Sequence, residues 1–419
     1  MAPSFGVSAA QQWMWLAQKR SPDFSNNVTI LWDIRGEVDL DRLDDVLRTV
    51  VDGEDALRVN FAEGASGLRQ EVSAPGRFMP FRHDVSATPD PQTSALRAME
   101  DVVRLPFDLE NDILFRIGTV RLAPQRVILQ LTWHHIAGDG FGIVELLSNR
   151  IAELYSVSRR GEPVRGSGFA SARRLVEEDE RYRSSPRFGE DARFWRNYLD
   201  GAPSPANPAR LGPSTALVAP EAARRETLED AWAEMAAATG MASRVRTVSA
   251  AEAEEWGRVA SRLGARLPTL LAAGTALWLA RECGEDAPLL SLSAKNRRGA
   301  AGHTPGLTLN LLPLRLSVPA TATFAEIAAG TAAEIRSVVA HEAHHITDIQ
   351  PGQSASSDEA GSGILLNLMS FVTPLDLDGT PAHLVSGSWG ISDSLAITFH
   401  PDGRPDGDLC LRSCSTPLR

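Results

Sequence analysis

A chain of 419 residues with 43% hydrophobic and 23% charged residues has the composition of a folded globular protein with ample material for a core. Its formal net charge of −11 argues against nucleic acid or an anionic membrane surface as the main partner. Positive charge is carried almost wholly by arginine, since Lys19 and Lys295 are the only lysines. Cys283, Cys410 and Cys414 form no metal-ligand pattern with nearby histidines and no even disulfide framework, which fits a reducing compartment. Met1 to Gln11 lack the basic-then-apolar order of a signal peptide, and no apolar run approaches the roughly 20 residues that span a bilayer. The expectation is a cytoplasmic protein without a membrane partner.

In chain order, Ser8 to Gln18 reads as a short opening helix, and Val28, Ile30, Trp32 and Ile34 alternate as a strand that ends at Gly36. Asp39 is placed to cap a helix with Leu43, Val46, Leu47 and Val50 on one face. A strand is expected around Leu57 to Phe61, a helix over Pro91 to Val103 and a strand over Leu114 to Val120. A hairpin tip at Gln125 then leads into a buried strand, Arg126 to Trp133. Ile143, Leu146, Leu147, Ile151 and Leu154 mark an amphipathic helix directly after Gly140. Residues 161–190 read as a surface connection with some helix, Phe194 and Trp195 as a short anchored helix, and 201–220 as irregular. Capping boxes at Ser249 and Thr323 open two further helices, the second reaching about His341, and another is entered through Pro268. Strands are expected over 289–292, 309–318, 364–371 and 395–399, with turns at Asp402-Gly403 and Asp406-Gly407 leading to Leu409 and Leu411 and a Ser/Gly/Asp loop over 351–362. The chain thus falls into two halves of similar αβ content that meet near 170–200.

The strand ending at Trp133 delivers His134, His135, Asp139 and Gly140. Neighbouring side chains on a strand point to opposite faces, so one histidine is structural and the other reactive. Imidazole suits general acid–base work because its reference pKa of roughly 6.5 lies near neutrality. Asp139 is placed either to orient an imidazole or to pair with an arginine and fix the loop. Gly138 and Gly140 permit a bent backbone and leave an amide free for an oxyanion. The bland alternative is a strand end with two satisfied core histidines. Adjacent histidines make a poor chelating pair, and His341, His344 and His345 read as a polar helix terminus complementing the dipole rather than a metal site. With no Gly-x-Ser-x-Gly elbow and no activated cysteine, a covalent acyl-enzyme has no nucleophile, and direct transfer from an activated acyl donor remains.

These residues resemble the His-His-x-x-x-Asp-Gly hallmark of nonribosomal peptide synthetase condensation domains, within the chloramphenicol-acetyltransferase-like superfamily. The likeness covers nearly the whole chain. Ser8 to Trp15 is similar to the family's opening Gln-containing helix, and Ala56-Leu57-Arg58 with Phe61 to its Leu-Arg segment, with Glu54 and Asp55 where His-Glu is usual. Asn310, Pro313 and Arg315 match an Asn-x-x-Pro-x-Arg strand, and Asn367 to Phe371 an Asn-x-Met-Pro-Phe strand in which Ser370 replaces Pro. That last strand, together with Asp139-Gly140-Phe141-Gly142, resembles domains that accept aryl or simple acyl starters.

The resemblance implies a mixed α/β (α+β) fold of two chloramphenicol-acetyltransferase-like lobes, residues 1–175 and 176–419, in a V-shaped pseudo-dimer with a central tunnel. His135 would stand at its midpoint to deprotonate or position an amine, and the Gly140 amide would hold the oxyanion. Asp139 would pair with Arg58, and Asn310, Asn367, Trp389 and Asp393 would serve as substrate-binding or structural positions. The chain would bind no cofactor or metal itself, because carrier proteins bring the acyl thioester on a phosphopantetheine arm. With no adenylation, carrier or thioesterase segment in it, the implied enzyme is a stand-alone monomer meeting acyl or peptidyl carriers in trans and an amine or amino-acyl acceptor. A further helix is expected beyond Arg419. The other readings are a coenzyme A-dependent acyltransferase, weighed against an amide- or ester-forming condensation enzyme, and a degenerate module that recruits partners. An epimerase relative would need an upstream glutamate region that is not found.

Overall fold

The structure, a computed structural model, describes residues 4–20, 26–65, 67–160, 168–206, 242–349, 363–385, 395–402 and 407–415. After α1 (Ala9–Arg20) comes β1 (Asn27–Arg35), the run in which apolar residues alternate. Val28, Ile30, Trp32 and Ile34 enter one core, while Leu31 enters a smaller core on the opposite face with Met99, Val120 and Ile128. Both faces are covered, so the polar positions between them are buried and need partners. Thr29 bonds Thr132 at 2.8 Å, and Asp33 accepts two bonds from Arg126 at 3.1 and 3.0 Å.

Helix α2 (Leu40–Gly53) starts where expected, because the Asp39 carboxylate accepts the Arg42 amide at 3.0 Å. A two-stranded hairpin follows, β2 (Val59–Gly64) and β3 (Gly67–Val72). Then come β4 (Phe81–Asp84), α3 (Pro91–Arg104) with Pro91 in its first turn, β5 (Phe115–Ala123) and β6 (Arg126–His134). A π-helix, Phe141–Leu147, precedes α4 (Ser148–Arg159), and α5 (Ala172–Arg183) and α6 (Pro186–Leu199) connect to the second half.

The second half contains β7 (Ala242–Val248), α7 (Ala250–Arg262), α8 (Leu267–Cys283), β8 (Leu289–Ala294), β9 (Asn310–Arg315), α9 (Phe324–Val339) and the short α10 (Ile346–Ile349). It closes with β10 (Leu365–Leu368), β11 (Leu375–Asp376), β12 (Pro381–Val385), β13 (Ala396–Pro401) and β14 (Leu409–Ser415). The Thr323 capping box is complete, whereas at Ser249 the side chain accepts the Glu252 amide. Gly284 ends α8 in the left-handed conformation, at φ 68°. Cys410 and Cys414 lie four residues apart on the extended β14, about 13 Å by strand rise, too far for a direct disulfide.

Two six-stranded mixed sheets result, in the orders β11-β12-β1-β6-β5-β4 and β7-β14-β13-β10-β8-β9. The first sheet is not built of residues below 176 alone, because β11 and β12 cross over to it, with Leu31 opposite Val385 and Ile34 opposite Ala382. Met369, Leu375, Leu377 and Leu384 bury themselves in the first core. Each leucine contributes roughly 2 kcal/mol by burial, so the crossing is an anchored element. No periodic signal marked β11 or β12, whose runs are short and broken by Asp and Gly.

Helix α9 ends at Val339, short of His341, and the three histidines lie in the turn beyond it, bonded sideways rather than to the helix end. Asp191 on α6, fully buried, accepts His341 Nδ1 at 2.6 Å, Tyr182 Oη at 2.9 Å and Arg187 Nε at 2.8 Å. The His341 ring stacks on Phe194 at 3.7 Å. His344 Nδ1 lies 3.2 Å from Tyr182 Oη, and His345 bonds Thr347. Asp191→Ala removes the shared acceptor and should lower the unfolding free energy by about 2–4 kcal/mol in urea titrations. Arg187→Ala, at a half-exposed partner, should cost less than about 1 kcal/mol.

Candidate active site

Strand β6 lies between β1 and β5, and its last residue, His134, pairs with Asn27. A single 3₁₀ turn, His135–Ala137, turns the chain out of the sheet and separates the two imidazoles. His134 is buried. Its Nδ1 accepts the Ile136 amide at 3.2 Å, which leaves the ring proton on Nε2, 3.1 Å from Gln18 Oε1. Burial, with the neighbouring His135 adding to it, pushes its pKa down to about 3. His134 is therefore a neutral, satisfied structural group.

His135 is different. The residue as a whole is only partly buried, its imidazole is enclosed by protein, and Nδ1 lies 3.0 Å from the Gly138 carbonyl oxygen. Only a protonated ring nitrogen can bond a carbonyl, so the neutral ring carries its lone pair on Nε2. Burial lowers its pKa below the ordinary 6.5, and hydrogen bonding to its own backbone carbonyl, the Asp139 charge and the Gly138 carbonyl oppose that shift without cancelling it.

Asp139 touches neither imidazole. Its Oδ1 accepts Gly142 N at 2.9 Å and Arg297 Nη2 at 2.6 Å, and its Oδ2 accepts Thr308 N at 2.9 Å and Thr308 Oγ1 at 3.1 Å. The carboxylate thereby caps the helix that opens at Gly140 and joins it to the second half of the chain. By helix geometry, the Gly140 and Phe141 amides are the remaining first-turn donors. Burial alone would raise the Asp139 carboxyl, but Arg297 and the amide bonds outweigh it and hold the group below its usual range.

The pairing of Asp139 with Arg58 is not formed. Arg58 donates to the carbonyls of Val51, at 3.0 Å, and Ser73, bracing the α2-to-hairpin connection, while Glu54 and Asp55 hold the amides of Gly168 and Ala172. Arg297 takes the role instead. It also donates to the carbonyls of Ala301, at 2.6 Å, and Gly306, at 2.8 Å, and so organises the loop that meets Asp139. Its signal in the sequence is the basic run Lys295 to Arg298 after a strand, which local periodicity does not single out. The same loop explains two glycines. A Cβ on Gly138 would come within 2.9 Å of Pro305 O, and one on Gly142 within 2.8 Å of the Arg297 guanidinium. Gly138 is extended, at φ −174°, so close approach rather than a bend requires it.

The helix after Gly140 opens as a π-helix instead of the expected α-helix. Ser148 is wedged there: its amide and its hydroxyl, at 3.0 Å, both bond Ile143 O, and the hydroxyl accepts Trp32 Nε1 at 3.1 Å. Phe141 then meets Phe371 edge-on at 5.0 Å, with Lys295 Nζ 4.5 Å from its ring centre.

Asn310 is a structural pin. Its amide donates to Glu342 O and His344 O, both at 2.8 Å, and its oxygen accepts Leu311 N and Ile346 N, both at 2.9 Å, which uses its whole bonding capacity. Asn367 is half-buried on β10 opposite Thr398, with no side-chain hydrogen bond among the described residues. Trp389 and Asp393 lie outside the described residues, as does the loop expected over 351–362. An open cleft runs between the start of α1, α5 and the 296–308 and 343–345 turns. Thr308 lines it and links it to Asp139, but His135 is not part of its wall.

The family model for the condensation domain matches residues 3–383. The chain belongs to the condensation-domain family. It is 31% identical over 396 residues, 94% of its length, to an isonitrile lipopeptide synthase of Streptomyces coeruleorubidus, and 28% identical over 434 residues, 100% of its length, to enterobactin synthase component F of Escherichia coli. It spans 25% and 31% of those two proteins. Among solved structures, it superposes with a TM-score of 0.83 on the first condensation domain of the calcium-dependent antibiotic synthetase, at 24% identity over 99% of this chain and 91% of that one. It superposes equally, at 26% identity over 99% and 89%, on a point variant of the starter condensation domain of rhizomide synthetase in complex with C8-CoA. The chloramphenicol-acetyltransferase-like fold expected from the resemblance is thus the fold observed. As a condensation domain of the nonribosomal peptide synthetase type, the chain is an acyltransferase that moves an acyl group onto an amine. Such domains work on substrates carried by the phosphopantetheine of carrier proteins.

Replacing Arg297 by Met leaves the Asp139 charge buried without its cation, and Arg297→Met should destabilise the fold by about 3–5 kcal/mol at neutral pH. A carboxylate with a depressed folded pKa contributes stability above its unfolded pKa and loses it as pH falls through the folded value. The gap between wild type and variant, followed by denaturation across pH, should therefore narrow below about pH 4.

Proposed function

We propose that this chain joins a carrier-bound acyl thioester to an amine acceptor in trans, with His135 as the general base. The observation that carries the reading is the His135 Nδ1 bond to the Gly138 carbonyl, which keeps a lone pair on Nε2. The amine nitrogen attacks the thioester carbonyl, and His135 Nε2 takes the proton that the nitrogen sheds. As the C–N bond is completed the C–S bond breaks, and the proton passes to the departing thiolate. The helix-terminal amides of Gly140 and Phe141 are the donors assigned to the developing oxyanion. A thioester is already activated, so positioning supplies much of the rate and proton transfer about 10²–10⁴-fold.

The donor is assigned to the simple acyl, starter class. Likeness to the rhizomide starter domain supports this, as does the partly exposed Phe141 and Phe371 pair beside the motif. The C8-CoA held by that relative also favours a second reading, in which the thioester arrives on coenzyme A rather than on a carrier. Amide formation followed by mass spectrometry, with acyl-loaded carrier in one arm and acyl-coenzyme A in the other, separates the two. Carrier-dependent product is expected; equal turnover with coenzyme A thioesters moves the assignment to the second reading, and binding without product removes both. His135→Ala should lower turnover about 10²–10⁴-fold. Because the imidazole pKa is depressed, the wild-type rate should hold as pH falls through 6.5 and drop only at more acid pH.

A further inference from the structure

Gly138 presents one carbonyl oxygen, and two donors reach it. His135 Nδ1 lies 3.0 Å away and Trp133 Nε1 lies 2.9 Å away. A carbonyl oxygen has two lone pairs, so this one is saturated. Both donors precede Gly138 in the chain, the indole at the end of β6 and the imidazole at the start of the 3₁₀ turn beyond it. The Gly138 amide bonds His135 O at 3.3 Å, and a Cβ on Gly138 would come within 2.9 Å of both Pro305 O and Ile143. Trp133 is fully buried, so its N–H has no water as an alternative partner.

We propose that Trp133 is a positioning residue for the transfer reaction. Its indole N–H holds the Gly138 carbonyl in the orientation that fixes the His135 tautomer, with the lone pair of Nε2 directed to the amine. This rests on the reading of His135 as the base. Without the indole donor, the carbonyl has a free lone pair and one less restraint, and the imidazole it directs turns more freely.

The test compares wild type, Trp133→Phe and His135→Ala in acyl-carrier-dependent amide formation. A fourth protein carries benzothienylalanine at position 133, which keeps the volume of the indole and lacks only its N–H. Both position-133 variants should lose about tenfold in kcat with KM within about twofold. NMR of isotope-labelled histidine should show the His135 proton shared between Nδ1 and Nε2 in the variants and confined to Nδ1 in the wild type. A benzothienylalanine protein with unchanged kcat and tautomer overturns the inference while leaving the base reading intact, provided that His135→Ala is inactive. Full activity of His135→Ala overturns both. Loss of activity in Trp133→Phe alone, with the isostere behaving as wild type, assigns Trp133 to packing and also overturns the inference.

Discussion

Asp139 is a carboxylate with almost no contact with water, and its charge must be met by the protein itself. Every partner that meets it does a second job. The Gly142 amide ties it to the first turn of the π-helix, Arg297 ties it to the loop before β9, and Thr308 ties it to the strand end where Asn310 begins. The turn that presents His135 and the helix that opens at Gly140 are thus held to the opposite half of the chain at one buried point. A buried ion pair of this kind adds little net stability compared with apolar packing of the same volume. What it supplies here is geometry: the motif has one position relative to the second sheet. The glycines at 138 and 142 belong to the same constraint, since any side chain there would push the 297–306 loop away from the carboxylate.

Two adjacent histidines with identical chemistry are separated by where the strand stops. His134 is the last residue of β6 and keeps a strand-like neighbourhood, buried, neutral and bonded at both nitrogens. His135 is the first residue of the 3₁₀ turn, and one of its nitrogens is bonded while the other has no hydrogen-bond partner among the described residues. Asp139 does not orient the imidazole of His135, although a His/Asp pair invites that reading. A backbone carbonyl does, and a neutral acceptor leaves the imidazole less basic than a carboxylate would.

Much of this was legible in the sequence wherever the cause was local. Asp39 and Thr323 cap their helices through side chains one turn away, and the alternating apolar positions of β1 and β6 fix their faces over a few residues. The His-His-x-x-x-Asp-Gly run stood out in the sequence because its members are neighbours in the chain. What was not legible is non-local. Arg297 meets Asp139 across a separation of 158 residues, and nothing in its own neighbourhood distinguishes it from Arg298. The Trp32 indole reaches Ser148, at the end of the π-helix, from β1. Strand β12, five residues long and opened by Pro381, carries no period long enough to stand out, and its place beside β1 follows from which edge was left open. The resemblance named Arg58 as the partner of Asp139, but the carbonyls of Val51 and Ser73 lie closer to hand and take its guanidinium.

The crossing of β12 onto β1 sets an order on how the molecule is made. Synthesis runs from the N-terminus, so β1, β5 and β6 emerge well before the segment that covers the outer edge of β1. Until residue 385 has left the ribosome, that edge offers a row of unpaired amides and carbonyls on a strand rich in apolar side chains. The nascent first sheet is therefore exposed to wrong edge-to-edge pairing while the intervening residues are synthesised, and its last ladder closes across a separation of some 350 residues, a slow step by loop entropy. The two sheets are two objects in space but one event in folding.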